Sequence, residues 1–228
     1  MIIYFNKFIK YIVLYHLFIF STVGHAGSYE DFFKAFQSDQ VKVISQLLSR
    51  GFDPNTHSPD SEPALFVAMK LESWKSFEIL IRHPLIRLNV KNKHDETPLM
   101  LVCLKGHLAL AKQLIDLQAD VNQPGWTPLH YAASSGQTAI VQLLLDHSAY
   151  IDAESPNGTT PLMMAARYGN FESLTLLINE GADVHLKNQQ GSTALDFAIQ
   201  GQRTDAQKLL TALLKEHGPT GVNQSTSD

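Results

Sequence analysis

The sequence predicts an all-α solenoid, a stack of about six short helix-turn-helix units with turn-like finger loops projecting from one edge. Three features of its spacing lead there. Leu99, Leu129, Leu162 and Leu195 stand in the aligned segments Thr97-Pro98-Leu99-Met100, Thr127-Pro128-Leu129-His130, Thr160-Pro161-Leu162-Met163 and Thr193-Ala194-Leu195-Asp196, at intervals of 30, 33 and 33 residues. The same step taken backwards reaches Leu65 and then Phe32, at intervals of 34 and 33. Fifteen residues beyond each of these six positions stands a leucine: Leu47, Leu80, Leu114, Leu144, Leu177 and Leu210. A glycine stands seven residues after the anchor at Gly106, Gly136 and Gly169. Self-similarity at this period marks an array in which each repeat is one supersecondary unit.

The chain has 228 residues, of which 44% are hydrophobic and 18% charged, so it carries ample apolar material for a core. Its single cysteine, Cys103, excludes an internal disulfide framework and a four-thiolate metal site. A net charge of −4 without long basic runs argues against nucleic acid as the partner.

Residues 1–26 differ in character from the rest of the chain. Lys7 and Lys10 make a basic start, Tyr11 to Phe20 is apolar apart from His16, and Gly24-His25-Ala26 places small residues before a cut after Ala26. This pattern predicts a secretory signal peptide, cleaved there. The competing reading is an uncleaved anchor, but Tyr11 to Val23 is 13 residues long, short of the roughly 20 that cross a bilayer.

The repeat units are expected at about 29–57, 58–90, 91–122, 123–152, 153–185 and 186–217, with a disordered polar tail over 218–228. In each complete motif, Thr before Pro caps a helix whose first turn tolerates the missing N–H. Leu99, Val102 and Cys103 then share one face, as do Leu129, Ala132 and Ala133, or Leu162, Ala165 and Ala166. The glycine turns the chain. Leu110, Ala111, Leu114 and Ile115, and Ile140, Val141, Leu144 and Leu145, form the apolar face of a second, antiparallel helix. No unit can bury that surface alone, so stability arises between neighbours and the end units must be more polar outside. Departures are visible: Asn122 to Gly125 makes a shortened finger that places Trp126 on a tight loop, His83 to Asn89 is a longer apolar connection, and Gln202 takes a glycine's place in the last unit.

These residues resemble the ankyrin-repeat family, whose unit of 33 residues and Thr-Pro-Leu-His-x-Ala signature they match over about Tyr29 to His217. The match is closest at Gly125 to Ala133. With the signal segment in front, the chain is similar to the exported ankyrin-repeat proteins of bacteria, most simply a periplasmic one. The resemblance implies that His107 and His130 tie neighbouring units together by hydrogen bonds.

Catalytic patterns do not emerge from the remaining residues. There is no Gly-x-Ser-x-Gly elbow, His-Glu-x-x-His pair or phosphate-cradling glycine loop, and the ten histidines are dispersed. Cys103 falls on a small-residue face, which implies burial rather than reactivity. Asp31, Asp39, Glu72 and Glu78 are expected on solvent faces. Asn157-Gly158-Thr159 and Asn223-Gln224-Ser225 match a common glycosylation triplet. No catalytic, cofactor or metal residue is therefore assigned, and the chain reads as a non-enzymatic protein-interaction module. A monomer with a protein partner is expected, the partner held on a concave face of first helices and fingers. Candidate contact residues are Trp126, Tyr131, Arg167 and Tyr168 as one patch, with Met164, Lys93 and His94 beside it; packing between fingers is the alternative role for Trp126 and Tyr131. Phe197, equivalent to Tyr131 in the last unit, suits either role. The alternative function is a secreted effector or antagonist acting on a host or competitor protein.

Overall fold

The computed structural model describes residues 27–216, so the predicted signal peptide (1–26) and tail (218–228) lie outside the described residues. Those residues form twelve helices in six pairs, confirming the all-α repeat solenoid. They divide into two compact units at Lys93 and His94. The first holds α1 (27–36), α2 (Val41–Ser49), α3 (Ala64–Lys70) and α4 (Trp74–Ile81). The second holds α5 (Pro98–Leu104), α6 (Leu108–Asp116), α7 (Pro128–Ser134), α8 (Thr138–Asp146), α9 (Pro161–Tyr168), α10 (Phe171–Asn179), α11 (Ala194–Gln200) and α12 (Thr204–Glu216).

In the second unit the first helices of successive pairs pack in the order α5, α7, α9, α11, and α6, α8, α10 and α12 form the row behind them. Small residues set the spacing of the front row: Ala132, Ala133, Ala165, Ala166 and Ala198 are all buried. Leucines fill the space between the rows. Leu99, Leu114, Leu129, Leu144, Leu162 and Leu177 are buried almost completely, each contributing about 2 kcal/mol through the apolar surface removed from water. Leu195 departs from the series: it is only half-buried, and Phe197 and Ala198 take over the burial on α11. No further pair follows α12 among the described residues to cover it. In the first unit the core begins with an aromatic cluster in which Phe32 lies 5.2 Å from Phe36 and 4.4 Å from Phe52, between ring centroids.

In five of the six pairs the turn between the helices places one residue in the left-handed region. Gly106 and Gly136 supply it at φ of +77° and +66°, while Asp39, Glu72 and Gln202 supply it in pairs without a glycine. Gly169 turns the chain between α9 and α10 without a left-handed residue: its φ is −74°. Its need for glycine is steric, because a Cβ there would stand 2.4 Å from the Ala133 carbonyl oxygen of the preceding pair.

Four first helices are closed at their N-termini by one device with three chemistries. The Thr97, Thr160 and Thr193 hydroxyls accept from the backbone N–H three residues on, each at 3.4 Å. The side chain at that third position reaches back to the threonine N–H: sulfur from Met100 at 3.3 Å, sulfur from Met163 at 3.4 Å, and a carboxylate from Asp196 at 2.7 Å. In the second pair of this unit it is the Nδ1 of buried His130, which accepts from the Thr127 N–H at 3.2 Å and meets its hydroxyl at 2.9 Å. Nε2 then carries the proton and donates to the Thr159 carbonyl at 2.9 Å, joining this pair to the next. The expected role of His130 in tying neighbouring repeats together is therefore observed.

A second set of bonds between successive pairs runs through the loops after the second helices. Asn55 donates to the Leu85 carbonyl and accepts from the Arg87 N–H. Asn122 does the same with Ser148 and Tyr150, and the Asp152 carboxylate accepts from the Asp183 N–H. Asp39, expected on a solvent face, instead caps α4, accepting from the Ser76 N–H at 2.8 Å and the Lys75 N–H at 3.2 Å. Burial holds the Cys103 thiol far above its ordinary range, so it stays protonated, as its small-residue face implied.

Two consequences for stability can be measured. Ser76 is buried with no partner for its hydroxyl, whereas its counterpart Ser173 meets the Thr138 hydroxyl at 2.9 Å. Ser76→Ala should therefore raise the unfolding free energy by about 1 kcal/mol in a urea titration, and Ser173→Ala should lower it by about the same amount. Burial pushes His130 down to about 4, against the opposing pull of the Thr159 and Ala153 carbonyls. An unfolded histidine titrates near 6.5, so this contribution is complete above that pH and is lost as pH falls from about 6.5 towards 4, by roughly 3 kcal/mol in all. The melting temperature of the protein should fall over that window, and the fall should be shallower in His130→Gln.

Candidate partner-binding site

Helix positions that neither cap nor pack are free to face outward, and three successive pairs of the second unit bring such positions together. Trp126 comes from the short finger, where Gly125 at φ +83° makes the tight turn and Gln123 donates to the Trp126 carbonyl at 2.9 Å. Its ring stands edge to face with the buried His130 imidazole, 5.1 Å away. Met164, Arg167 and Tyr168 lie along α9, and Phe197 and Gln200 along α11. With Asn157, Thr159, Asn188, Gln190 and Ser192 from two fingers they line a cleft of about 380 Å³.

The finger wall is braced internally. Asn188 accepts from the N–H groups of Gln190 and Ser192, and Ser155 accepts from that of Thr159. The two fingers are also joined, since Gln189 donates its backbone N–H to the Asn157 carbonyl at 2.9 Å and its side-chain amide to that of Pro156. On the helix wall, Arg167 donates to Gln200 Oε1 at 2.9 Å, and its guanidinium carbon lies 4.9 Å from the centre of the Tyr168 ring. Tyr168 is 53% exposed and Phe197 only 8%, so one ring is offered to solvent while the other forms the floor.

The candidate residues thus separate. Trp126, Met164, Arg167 and Tyr168 share the cleft. Tyr131 does not line it: its hydroxyl donates to Glu96 Oε1 at 2.9 Å, and burial with the adjacent carboxylate holds the phenol far above its ordinary range. Lys93 and His94 are exposed at the division between the two compact units. Asn157, Asn188, Gln190 and Gln200 line the cleft without having been among the contact residues expected from the sequence. A usable signal existed for the fingers, because Ser155 and Asn188 are small polar residues spaced by 33 that each brace the residue four positions on. Among the described residues no three His, Cys, Asp or Glu side chains gather to hold a metal ion, and no helix is long and apolar enough to cross a membrane.

Comparison with known proteins agrees with this architecture. A family model for ankyrin repeats matches in three overlapping copies, over residues 32–124, 75–155 and 148–220. Among similar proteins, an ankyrin repeat and SAM domain-containing protein of Mus musculus is 34% identical over 109 residues, covering 46% of this chain and 12% of the relative. An alpha-latrocrustotoxin of Latrodectus tredecimguttatus is 37% identical over 123 residues, covering 54% and 9%. A glycerophosphocholine phosphodiesterase of Eremothecium gossypii is 30% identical over 126 residues, covering 54% of this chain and 7% of that enzyme. The chain thus spans about an eighth or less of the length of these relatives. With the family model covering most of the sequence, and six helix pairs among the described residues, the chain belongs to the ankyrin-repeat family.

Proposed function

We propose that this chain is a non-enzymatic protein-interaction module, exported as a monomer to the periplasm, which holds a protein partner against its first helices and fingers. The observation that carries the reading is the cleft of the second unit, where Trp126, Met164 and Tyr168 present apolar surface beside Arg167 and several amides. Aromatic and arginine side chains are the usual energetic centres of protein interfaces. Repeat arrays offer such surfaces because their stability comes from contacts between neighbouring units and leaves outward positions unconstrained. The basic and apolar character of residues 1–26, with small residues before Gly27, supports export.

The binding reading is tested by replacement and by cross-linking. Trp126→Ala together with Tyr168→Ala should lower stability by no more than about 1 kcal/mol, since one ring is half-buried and the other exposed, yet should abolish partner capture. A photoreactive phenylalanine analogue at position 168 should yield a discrete cross-linked species in cells. The same analogue at Tyr150, which is exposed outside the cleft, should not. Equal cross-linking from both positions would sink the assignment of the cleft.

Export is tested separately by fractionation and intact mass. A soluble periplasmic species beginning at Gly27 is expected. Retention of Met1 in the membrane fraction would make the segment an anchor, and recovery from the culture medium would assign a secreted effector.

A further inference from the structure

Within the cleft of the second unit, Arg167 is the one charged side chain among the lining residues. It is half-buried, and among the described residues no carboxylate pairs with it. Its partners are the neutral amide of Gln200 and the face of Tyr168. Asp196, the acid that α11 carries, is committed elsewhere: its carboxylate accepts from the Thr193 N–H at 2.7 Å and the Thr193 hydroxyl at 2.8 Å. A guanidinium has five N–H donors arranged in a planar fork. One serves Gln200, which together with the aromatic face holds the plane and leaves donors for a bidentate acceptor.

Immediately around this charge the lining is apolar and aromatic, from Met164, Tyr168 and Phe197 on the helices and Trp126 on the short finger, and amide-rich on the other two fingers, from Asn157 and Gln190. A cleft of about 380 Å³ lies near the lower limit for small-molecule pockets, which enclose most of their ligand. Here Tyr168 remains largely exposed at one wall, so the space suits a segment of chain passing across it rather than an enclosed small molecule.

From this geometry we infer that the cleft recognises an extended segment of a partner protein in which an aromatic or aliphatic side chain lies within a few residues of Asp or Glu. The apolar side chain fills the space between Trp126, Met164 and Phe197, the carboxylate pairs with Arg167, and the finger amides take backbone groups. This inference rests on the binding function proposed above and adds the chemistry of the partner.

The test is selection of displayed random 12-residue peptides on the full chain, with the Trp126→Ala, Tyr168→Ala double variant selected in parallel. Peptides enriched on the wild type alone should carry an acidic residue within three positions of an aromatic or aliphatic one. In fluorescence anisotropy, changing that acid to its amide should weaken binding at least tenfold, and Arg167→Gln should do the same to the acidic peptide while the helical circular dichroism stays unchanged. Gln200→Ala keeps the charge but frees the guanidinium, and should cost a few-fold. Arg167→Glu should prefer the peptide in which Lys replaces the acid. Enriched peptides without an acid, or amide peptides that bind as well as acidic ones, would overturn the acidic-segment inference while leaving the binding function standing. Identical enrichment on the wild type and the double variant would overturn both.

Discussion

A helix of seven to nine residues does not hold together in water, because too few hydrogen bonds form to repay the cost of its first turn. Each of α2 to α11 falls in that range. Every one of them therefore depends on what closes its ends and on what covers its apolar face, and neighbouring pairs supply the cover and part of the closure. Ala133 approaches Gly169, Asn122 reaches Ser148 and Tyr150, Asp39 caps α4, and His130 donates to Thr159. The leucine ladder is the apolar half of this dependence, and these polar links are the half that fixes register.

The N-terminus of the first helix shows how narrow that demand is in geometry and how broad in chemistry. What is required is an acceptor three residues after the threonine, aimed back at its N–H. A thioether, an imidazole and a carboxylate all meet it. They differ in what else they bring. Methionine adds apolar volume, and the carboxylate of Asp196 is held below its usual range by the Thr193 N–H and hydroxyl. His130 alone has a second ring nitrogen with which to reach the next pair. Its buried, neutral state is thus a structural feature.

Because the inner faces are filled by alanine and leucine, and the helix ends by threonine and its partners, the variable outward positions carry whatever distinguishes this array from another. Tyr131, Met164 and Phe197 hold equivalent places in three successive pairs, yet one hydrogen-bonds Glu96, one lines the cleft and one forms its floor. Equivalence in the repeat fixes where a side chain starts. Its neighbours decide what it meets. The charge on Arg167 is conspicuous for the same reason, since α11 places Gln200 opposite it and turns Asp196 towards Thr193.

Helix number, pairing and the buried leucines were legible in the residues themselves, because a period of about 33 is a local property that each unit states again and the buried face of a short helix repeats at i, i+1, i+4 and i+5. The departures at Gln202 and Trp126 were legible too, since each is a break in that period. Three things needed the assembled chain. Gly169 is constrained by a carbonyl 36 residues away in sequence rather than by its own backbone angles. Asp39 finds the end of a helix that begins 35 residues later. The cleft draws Arg167 and Phe197 from two helices and Trp126, Asn157 and Asn188 from three fingers. Periodicity records how each unit is built, whereas a site made across units depends on distances between side chains that have no shared position in the sequence.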